Sequence, residues 1–440
     1  MSLLLNRVPH FSPEAALALP GPSWLVERRR QAATAFAAAV LPNEGDEDWR
    51  YGRIDDLDLA RFVPAAPRPG TEDGALPEAA ARLLGHLGEH SGLVIARDGV
   101  VVARELDARV QAAGVVLDAL VAREAAPEGF GERLGEQRDA FGLLAESFVR
   151  DGAVIEVPPA VRVPHPIVVV HWCTPASEGG ALFPRTFVRV GPGAEATVVE
   201  LLVSGDESCL VVPVVEVDVA DGAHATVLGT QELGPRAWHL GYRADRVGRQ
   251  ATLRSLVAAF GGAYARHWSR STLVGEGGEA QQLAVYLADG AQVEEFRTFQ
   301  EHVAARTRSD LLFKGAVSGS ARSVYTGLVR MHKGARRADA SQANRNLVLS
   351  PDAQAFSVPN LDIGENDVRC SHASAVGPIS PEERFYVESR GVPSAVAERL
   401  ILLGFFEDLL GRCPHLGFAA HLRATVSGRL VNTTGNGAWS

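Results

Sequence analysis

The chain has 440 residues, with 43 basic and 53 acidic side chains and a formal net charge of −10 at pH 7. Hydrophobic residues make up 46% and charged residues 22%, a globular composition that excludes a disordered tail or a collagen-like fibre. The acidic balance also excludes a basic nucleic-acid footprint and a basic membrane-surface face. Lys is confined to Lys314 and Lys333, so the abundant Arg reads as coding bias and carries no functional argument.

At roughly 150 residues per domain, the length fits about three domains or one large repetitive domain with appendages. The segment Met1–His10 has no basic n-region followed by a long apolar stretch, and it does not read as a secretory signal. No apolar run approaches the roughly 18 residues that a bilayer span needs. Cys173, Cys209, Cys370 and Cys413 are far apart in sequence with no CxxC pair, which fits neither a disulfide framework nor a zinc ribbon. The expectation is a soluble, reduced, cytoplasmic protein with no nucleic-acid or membrane partner.

Residues 1–150 read as a mostly helical amino-terminal domain. Pro22-Ser23 opens a helix from Trp24 to Val40, and Pro42 stops it. An acidic loop, Glu44 to Asp48, leads into Trp49-Arg50-Tyr51. Residues 64–75, with Pro64, Pro67, Pro69 and Gly70, read as a linker. A helix over about 77–89 precedes a hairpin in which residues 93–96 and 100–103 flank the tight-turn pair Asp98-Gly99. A further helix over about 136–149 places Phe141, Leu144, Ala145 and Phe148 on one face.

From residue 151 to 378 short β-prone runs alternate with polar residues and are punctuated by Gly and Pro. A turn-then-alternation phrase recurs at Gly193-Ala-Glu-Ala-Thr-Val198, Gly222-Ala-His-Ala-Thr-Val227, Gly290-Ala-Gln-Val-Glu-Glu295, Gly334-Ala-Arg-Arg-Ala-Asp339 and Asp352-Ala-Gln-Ala-Phe-Ser357. The offsets of 29, 68, 44 and 18 residues give no strict period. Repeated units over this length favour a solenoid of stacked coils over a β-sandwich.

Residues 379–431 return to helix. Ser380-Pro-Glu-Glu383 is a capping box. A helix from about 393 to 410 carries an apolar stripe at Val396, Leu400, Leu403 and Phe406/Leu410. A third helix, about 416–430, precedes a polar tail, 432–440.

The clearest chemical constellation is Val368-Arg-Cys-Ser-His-Ala373. On a strand, Cys370 and His372 share one face, about 6–7 Å apart, and offer a thiol and an imidazole to a metal or small cluster completed by ligands from elsewhere. Against this, Cys is among the most buried residue types and most often only packs. The charged segment Glu301–Asp310 reads as a corner, with Ser309 and Asp310 bonding turn amides, and Glu301 and His302 are candidates for a buried pair. His224, His239, His267 and His332 are scattered and read as structural. No GxxxxGK[ST], GxSxG or HExxH motif is present, and Gly191-Pro-Gly193 and Gly275-Glu-Gly-Gly278 precede no helix. By chemistry alone the sequence names no catalyst.

The segments Arg306-Thr-Arg-Ser-Asp-Leu-Leu-Phe-Lys-Gly315, Ser323-Val-Tyr-Thr-Gly-Leu328, Gln342-Ala-Asn-Arg-Asn-Leu-Val-Leu-Ser350, Asp367-Val-Arg-Cys-Ser-His372 and Phe385-Tyr-Val-Glu-Ser-Arg-Gly391 form an ordered series. This series resembles the SufB/SufD family of iron–sulfur cluster assembly proteins. Weaker similarity reaches upstream to Phe141–Gly152, Val154–Pro158 and Glu47–Tyr51. Within the family the pattern is similar to the SufD branch. The SufB branch carries an essential Cys where this chain has Ala343, and a Glu-His-Glu arrangement where it reads Cys370-Ser-His372. Family members commonly have Gly where Ala373 stands, which would matter if that position needed positive φ.

The resemblance implies a mainly β fold, a right-handed parallel β-helix core flanked by amino- and carboxy-terminal α-helical domains. It implies a SufB-like partner, a SufC-like ATPase docked through the carboxy-terminal helices, and a nascent iron–sulfur cluster at the SufB–SufD interface. The site residue it implies is His372, with Cys370 an auxiliary ligand or a packing residue. Such complexes are also associated with reduced flavin, for which no contact residue can be assigned. The competing readings are a homodimeric or SufB-like scaffold, and a β-helix enzyme acting on polysaccharide.

Overall fold

The structure, a computed structural model, describes residues 9–66, 76–135 and 138–435. From Ala153 to Gly377 the chain winds through about eight coils, each contributing one strand to each of two facing sheets. The first sheet stacks, among others, Arg185–Val190, Val214–Val219, Trp238–Val247, Tyr264–Leu273, Val293–His302, Arg322–Met331 and Gln354–Ile363. The second stacks Ile167–Cys173, Glu195–Ser204, His224–Glu232, Thr252–Ala259, Glu279–Ala288, Arg308–Val317, Asp339–Val348 and Arg369–Gly377. Coil-to-coil pairing is parallel and in register, as in Tyr264↔Val293↔Arg322 and Asp310↔Ser341↔Ser371. The expected β-helix with helices at both ends is therefore the fold.

The absence of a strict period in the turn phrases has a geometric cause. Gly193, Gly222 and Gly334 lie in one corner of the coil, while Gly290 and Asp352 lie in the opposite corner. Register partners from Arg185 onward are 26 (Trp238↔Tyr264) to 32 (Arg322↔Gln354) residues apart. The repeat is clearer in the backbone. The first corner has a left-handed residue at the equivalent place in each coil, Ala160, Gly193, Gly222, Gln250, Gly277, Arg306 and Arg337, with Gly334 a second one in the last of these turns. Each of the equivalent residues donates its N–H to a carbonyl of the next coil, for example Gly222 to Arg249 (2.8 Å), Gln250 to Glu276 (3.0 Å) and Arg306 to Arg336 (2.8 Å). Glycine adopts this conformation freely, so the signature fades where Gln or Arg takes the position.

The start of the solenoid is capped. The expected hairpin forms from Gly92–Arg97 and Val100–Leu106, with both Asp98 and Gly99 at positive φ. Its first strand pairs parallel with Ile167–Cys173, and its second, antiparallel and interrupted by a bulge, forms the sheet edge. Val116–Ala119 similarly closes the other sheet by antiparallel pairing with Ala153–Val157. The segment 1–150 thus contributes strands as well as helices. Of the linker reading at 64–75, Val63–Pro64 pairs with Gly180–Ala181, and residues 67–75 lie outside the described residues.

Helices cover both outer faces. Ser23–Ala38 and Ala140–Phe148 belong with the first sheet, where Phe36, Phe141, Leu144 and Phe148 share an apolar cluster with Leu240, Tyr242 and Trp268. The second of these helices is capped by Asp139, whose Oδ1 accepts from Phe141 and Gly142 N–H. A buried charge network pins it to the solenoid: Glu146 accepts from Arg185 and Arg28, each at 2.7 Å, and Arg185 also bonds Glu216. Burial would raise the Glu146 carboxyl, but Arg185, Arg28 and Arg138 outweigh it and hold it below the usual carboxylate range.

Glu78–Leu87, Ser394–Leu410 and Leu416–Gly435 cover the second sheet. The last helix runs five residues beyond the expected end at Leu430, into the segment read as tail; residues 436–440 lie outside the described residues. The expected stripe on Ser394–Leu410 holds at Leu403, Phe406 and Leu410 and fails in the first half of the helix. Leu402, Phe406, Leu409 and Leu410 are buried, while Val396 and Leu400 are exposed. The helix is apolar on more than one side, so spacing alone does not identify its buried face.

Candidate functional site: the open end of the solenoid

The last coil, Gln354–Ile363 and Arg369–Gly377, pairs with the coil beneath it and with no further strand among the described residues. Its residues are accordingly exposed, including the apolar Val358, Leu361, Ile363 and Val376. Cys370 and His372 lie here, in register with Ala340 and Gln342. In Asp339–Val348, Ala340, Gln342, Asn344 and Asn346 are buried, whereas Ala343 and Leu347 pack against the cluster that includes the carboxy-terminal helices. Strand alternation therefore places Cys370 and His372 in the columns that face between the sheets. His372 is nevertheless exposed, because the stack ends at its own coil. Cys370 is half-buried beside Val329, Met331 and Ala340, and burial together with Asp339 pushes its thiol up.

Beneath this coil the interior is polar. Gln342 donates through Nε2 to the Tyr325 hydroxyl, which lies 3.2 Å from Thr298 Oγ1. Tyr286 donates to Asn346 at 2.6 Å and accepts from Asn344 at 3.0 Å, and Ser323 bonds Asn346 at 3.2 Å. Two glycines leave room for these groups. A Cβ at Gly315 would overlap the Tyr286 ring, and one at Gly327 would overlap Gln342 Nε2 and the Tyr325 hydroxyl. Apart from Tyr286 and Thr298, these residues belong to the segments that carry the family resemblance.

The Trp-Arg-Tyr segment crosses the outer face of the first sheet. Arg266 lies 3.8 Å from the Trp49 ring centroid and donates to the Asp48 carbonyl at 3.0 Å. Arg297 pairs with Asp48, Arg322 donates to the Tyr51 carbonyl at 3.0 Å, and Tyr51 reaches Phe356 on the last coil.

Other candidates fall elsewhere. Glu301 and His302 are not a pair. His302 faces inward with both ring nitrogens bonded, to Thr307 and Ser309 at 2.8 Å, while Glu301 lies toward Arg330 and His332. Adjacent residues on a strand point to opposite sides. Ser309 and Asp310 sit in the strand beyond the corner, bonding His302 and Ser341 and no turn amide. His224 is exposed, but His239 and His267 meet inside the solenoid with ring centroids 4.5 Å apart. Burial pushes His239 down to about 4 and His267 well below the ordinary imidazole value. Cys173 and Cys209, distant in sequence, share a buried apolar cluster, and a hydrogen bond from the Cys173 thiol to Cys209, together with burial, raises the Cys173 thiol. Ala373 lies within the last strand and is not at positive φ, so its methyl group introduces no backbone strain. Among the described residues no three His, Cys, Asp or Glu side chains are grouped to hold a metal ion, and no helix is long and apolar enough to cross a membrane.

The structure is thus a two-sheet solenoid whose last coil is exposed and carries an imidazole. The model of the SufBD core domain of the SUF system for iron–sulfur cluster assembly matches residues 173–405, more than half of the chain, and the chain belongs to that family. Its relatives include an iron–sulfur cluster assembly SufBD family protein of Mycobacterium tuberculosis, 32% identical over 64% of this chain and 72% of the relative. The chain is also similar to SufD of Escherichia coli, 27% identical over 89% of each chain, and to SufD of Bacillus subtilis, 26% identical over 92% of this chain and 94% of the relative.

Proposed function

We propose that this chain is a non-catalytic, SufD-like scaffold subunit in iron–sulfur cluster assembly. The reading is that its open coil pairs with a SufB-like sister chain and that nascent clusters form in the shared seam. His372 supplies an imidazole to iron, a borderline ligand suited to it. Cys370 is read as a packing residue, because it is half-buried against Val329, Met331 and Ala340. The sulfur-accepting thiol belongs to the sister chain, since Ala343 holds the matching position here. The cluster is cargo whose other ligands come across the seam.

The observation that carries this reading is the contrast between the two ends: the start turns back in antiparallel strands, and the last coil leaves His372, Leu361, Ile363 and Val376 exposed. An exposed apolar strand edge favours pairing with another chain. We read residues 379–431 as the dock for a SufC-like ATPase in the cytoplasm, an assignment supported by exposed Phe385, Tyr386, Val396 and Leu400. ATP-driven movement there would strain the seam through the helix Ser394–Leu410 and expose its ligands.

Co-expression with the SufB-like subunit, followed by mass and iron measurements, tests the reading. His372→Ala should leave the complex assembled and reduce its cluster content; full loading in that variant would remove the ligand assignment. The same strand edge also favours a second copy of this chain, so the mass of the chain purified alone decides whether a homodimer forms when the sister is absent.

A further inference from the structure

We infer that Gln342 is the positioning residue for His372, its Oε1 accepting the ring N–H that iron leaves free. The inference rests on the reading of His372 as an iron ligand and concerns what orients that ligand. His372 lies one coil above Gln342 in strict register, and both occupy a column facing between the sheets. Gln342 Oε1 is buried and has no hydrogen-bond partner. Such an acceptor is unfavourable unless a donor reaches it in the working state.

The other end of the amide is held. Nε2 donates to the Tyr325 hydroxyl, which is in contact with Thr298, so the oxygen is the free end. Gly327 makes this possible, because any side chain there would displace both the amide and the hydroxyl. A histidine that binds a metal through one nitrogen generally gives its other N–H to an acceptor, which fixes tautomer and ring orientation. Gln342 is placed to be that acceptor. It sits in the coil that already bears the structural load, so the orienting group stays fixed when the last coil docks.

The test is anaerobic ferrous-ion binding by the complex with the SufB-like subunit, with the melting temperature measured for each variant. Gln342→Met removes the acceptor at similar volume and should weaken ferrous binding about tenfold or more. Gln342→Asn withdraws the oxygen by one methylene and should weaken it likewise, which keeps the test open if the Met variant folds poorly. Gln342→Glu keeps an acceptor oxygen and should restore binding to near that of the unaltered complex. A purely structural role would give the Glu variant no advantage over Met. If His372→Ala leaves ferrous binding unchanged, the reading of the site fails and takes this inference with it. If His372→Ala abolishes binding while Gln342→Met binds normally, or if the Met and Glu variants lose binding equally, the role of Gln342 alone is overturned.

Discussion

Tyr51 lies face to face with Phe356, their ring centroids 5.0 Å apart and their planes 16° from parallel. The contact ties a loop from the first part of the chain to the last coil. Tyr51 holds this place at φ 74°, a conformation unfavourable for a side chain of its size. The Arg322 bond to its carbonyl and the stack on Phe356 sustain it. An aromatic pair contributes about 0.5–1.5 kcal/mol beyond burial, so Tyr51→Ala should speed amide exchange in residues 354–363 roughly two- to tenfold. Tyr51→Gly should be the milder change, because it relieves the backbone as it removes the ring. Exchange mass spectrometry on the chain alone reads both.

Lys314 is buried on the outer face of the second sheet. Its Nζ donates to Asp408 Oδ2 at 2.7 Å and to the Phe405 carbonyl at 2.8 Å, and it lies 4.7 Å from the Phe405 ring centroid. These bonds attach the helix Ser394–Leu410 to the solenoid. Lys314→Met should lower stability by roughly 1.5–3 kcal/mol, the range for hydrogen bonds to a charged group. The loss should concentrate in faster exchange of that helix. Uniform exchange across the chain would show that the lysine does not act as a local fastener.

The interior imidazoles set a pH dependence. Burial pushes His239 and His302 down to about 4, so the folded chain keeps them neutral while the unfolded chain protonates them near 6.5. The unfolded state then binds more protons as pH falls from about 6.5 to about 4. Stability should decline over that window by up to about 1.4 kcal/mol per pH unit for each group. Denaturant midpoints measured from pH 7 to 4 check this, and a flat profile would contradict it.

Glu294 acts in the opposite direction. Its carboxylate oxygens are buried without hydrogen-bond partners, His267 Nε2 lying 3.8 Å away, and burial raises it well above the usual range. Its contribution is therefore complete below the unfolded value near 4.5 and is lost as pH rises toward the folded value. Glu294→Gln should raise the unfolding midpoint at pH 8 and change it little at pH 4.

The corners offer a stabilising change. Gln250 occupies the position that glycine holds in neighbouring coils, at φ 51°. Gln250→Gly should stabilise the chain by about 0.5–1 kcal/mol, and Gly222→Ala, at φ 67°, should destabilise it by a similar amount or more. Thermal unfolding of the two variants separates them by sign.

Much of this architecture was legible in the sequence, for stated reasons. The Asp98-Gly99 hairpin, the Ser380 cap on the Glu383 N–H and the shared face of Cys370 and His372 follow from local geometry, and each is observed. The repeat was blurred because two corners share one turn chemistry and because Gln250, Arg306 and Arg337 stand where glycine would mark the beat. Burial was misleading at the polar positions. Gln342, Asn344 and Asn346 look like a solvated face, yet they point inward, whereas Leu361 and Ile363 look like core and lie exposed. Only the coil length, which places Gln342 thirty residues before His372, would have paired those two side chains in advance. That number is not available until the two corners are told apart.

The unequal ends have a consequence for assembly size. A rod adhesive at both tips can add units without limit and grows into a fibre, but here the first tip turns back on itself in antiparallel strands. Two such molecules that meet tip to tip consume the sticky surface of each, and a third finds nothing to grip. If the open coil pairs as proposed, growth would stop at a pair, with the imidazole near the join.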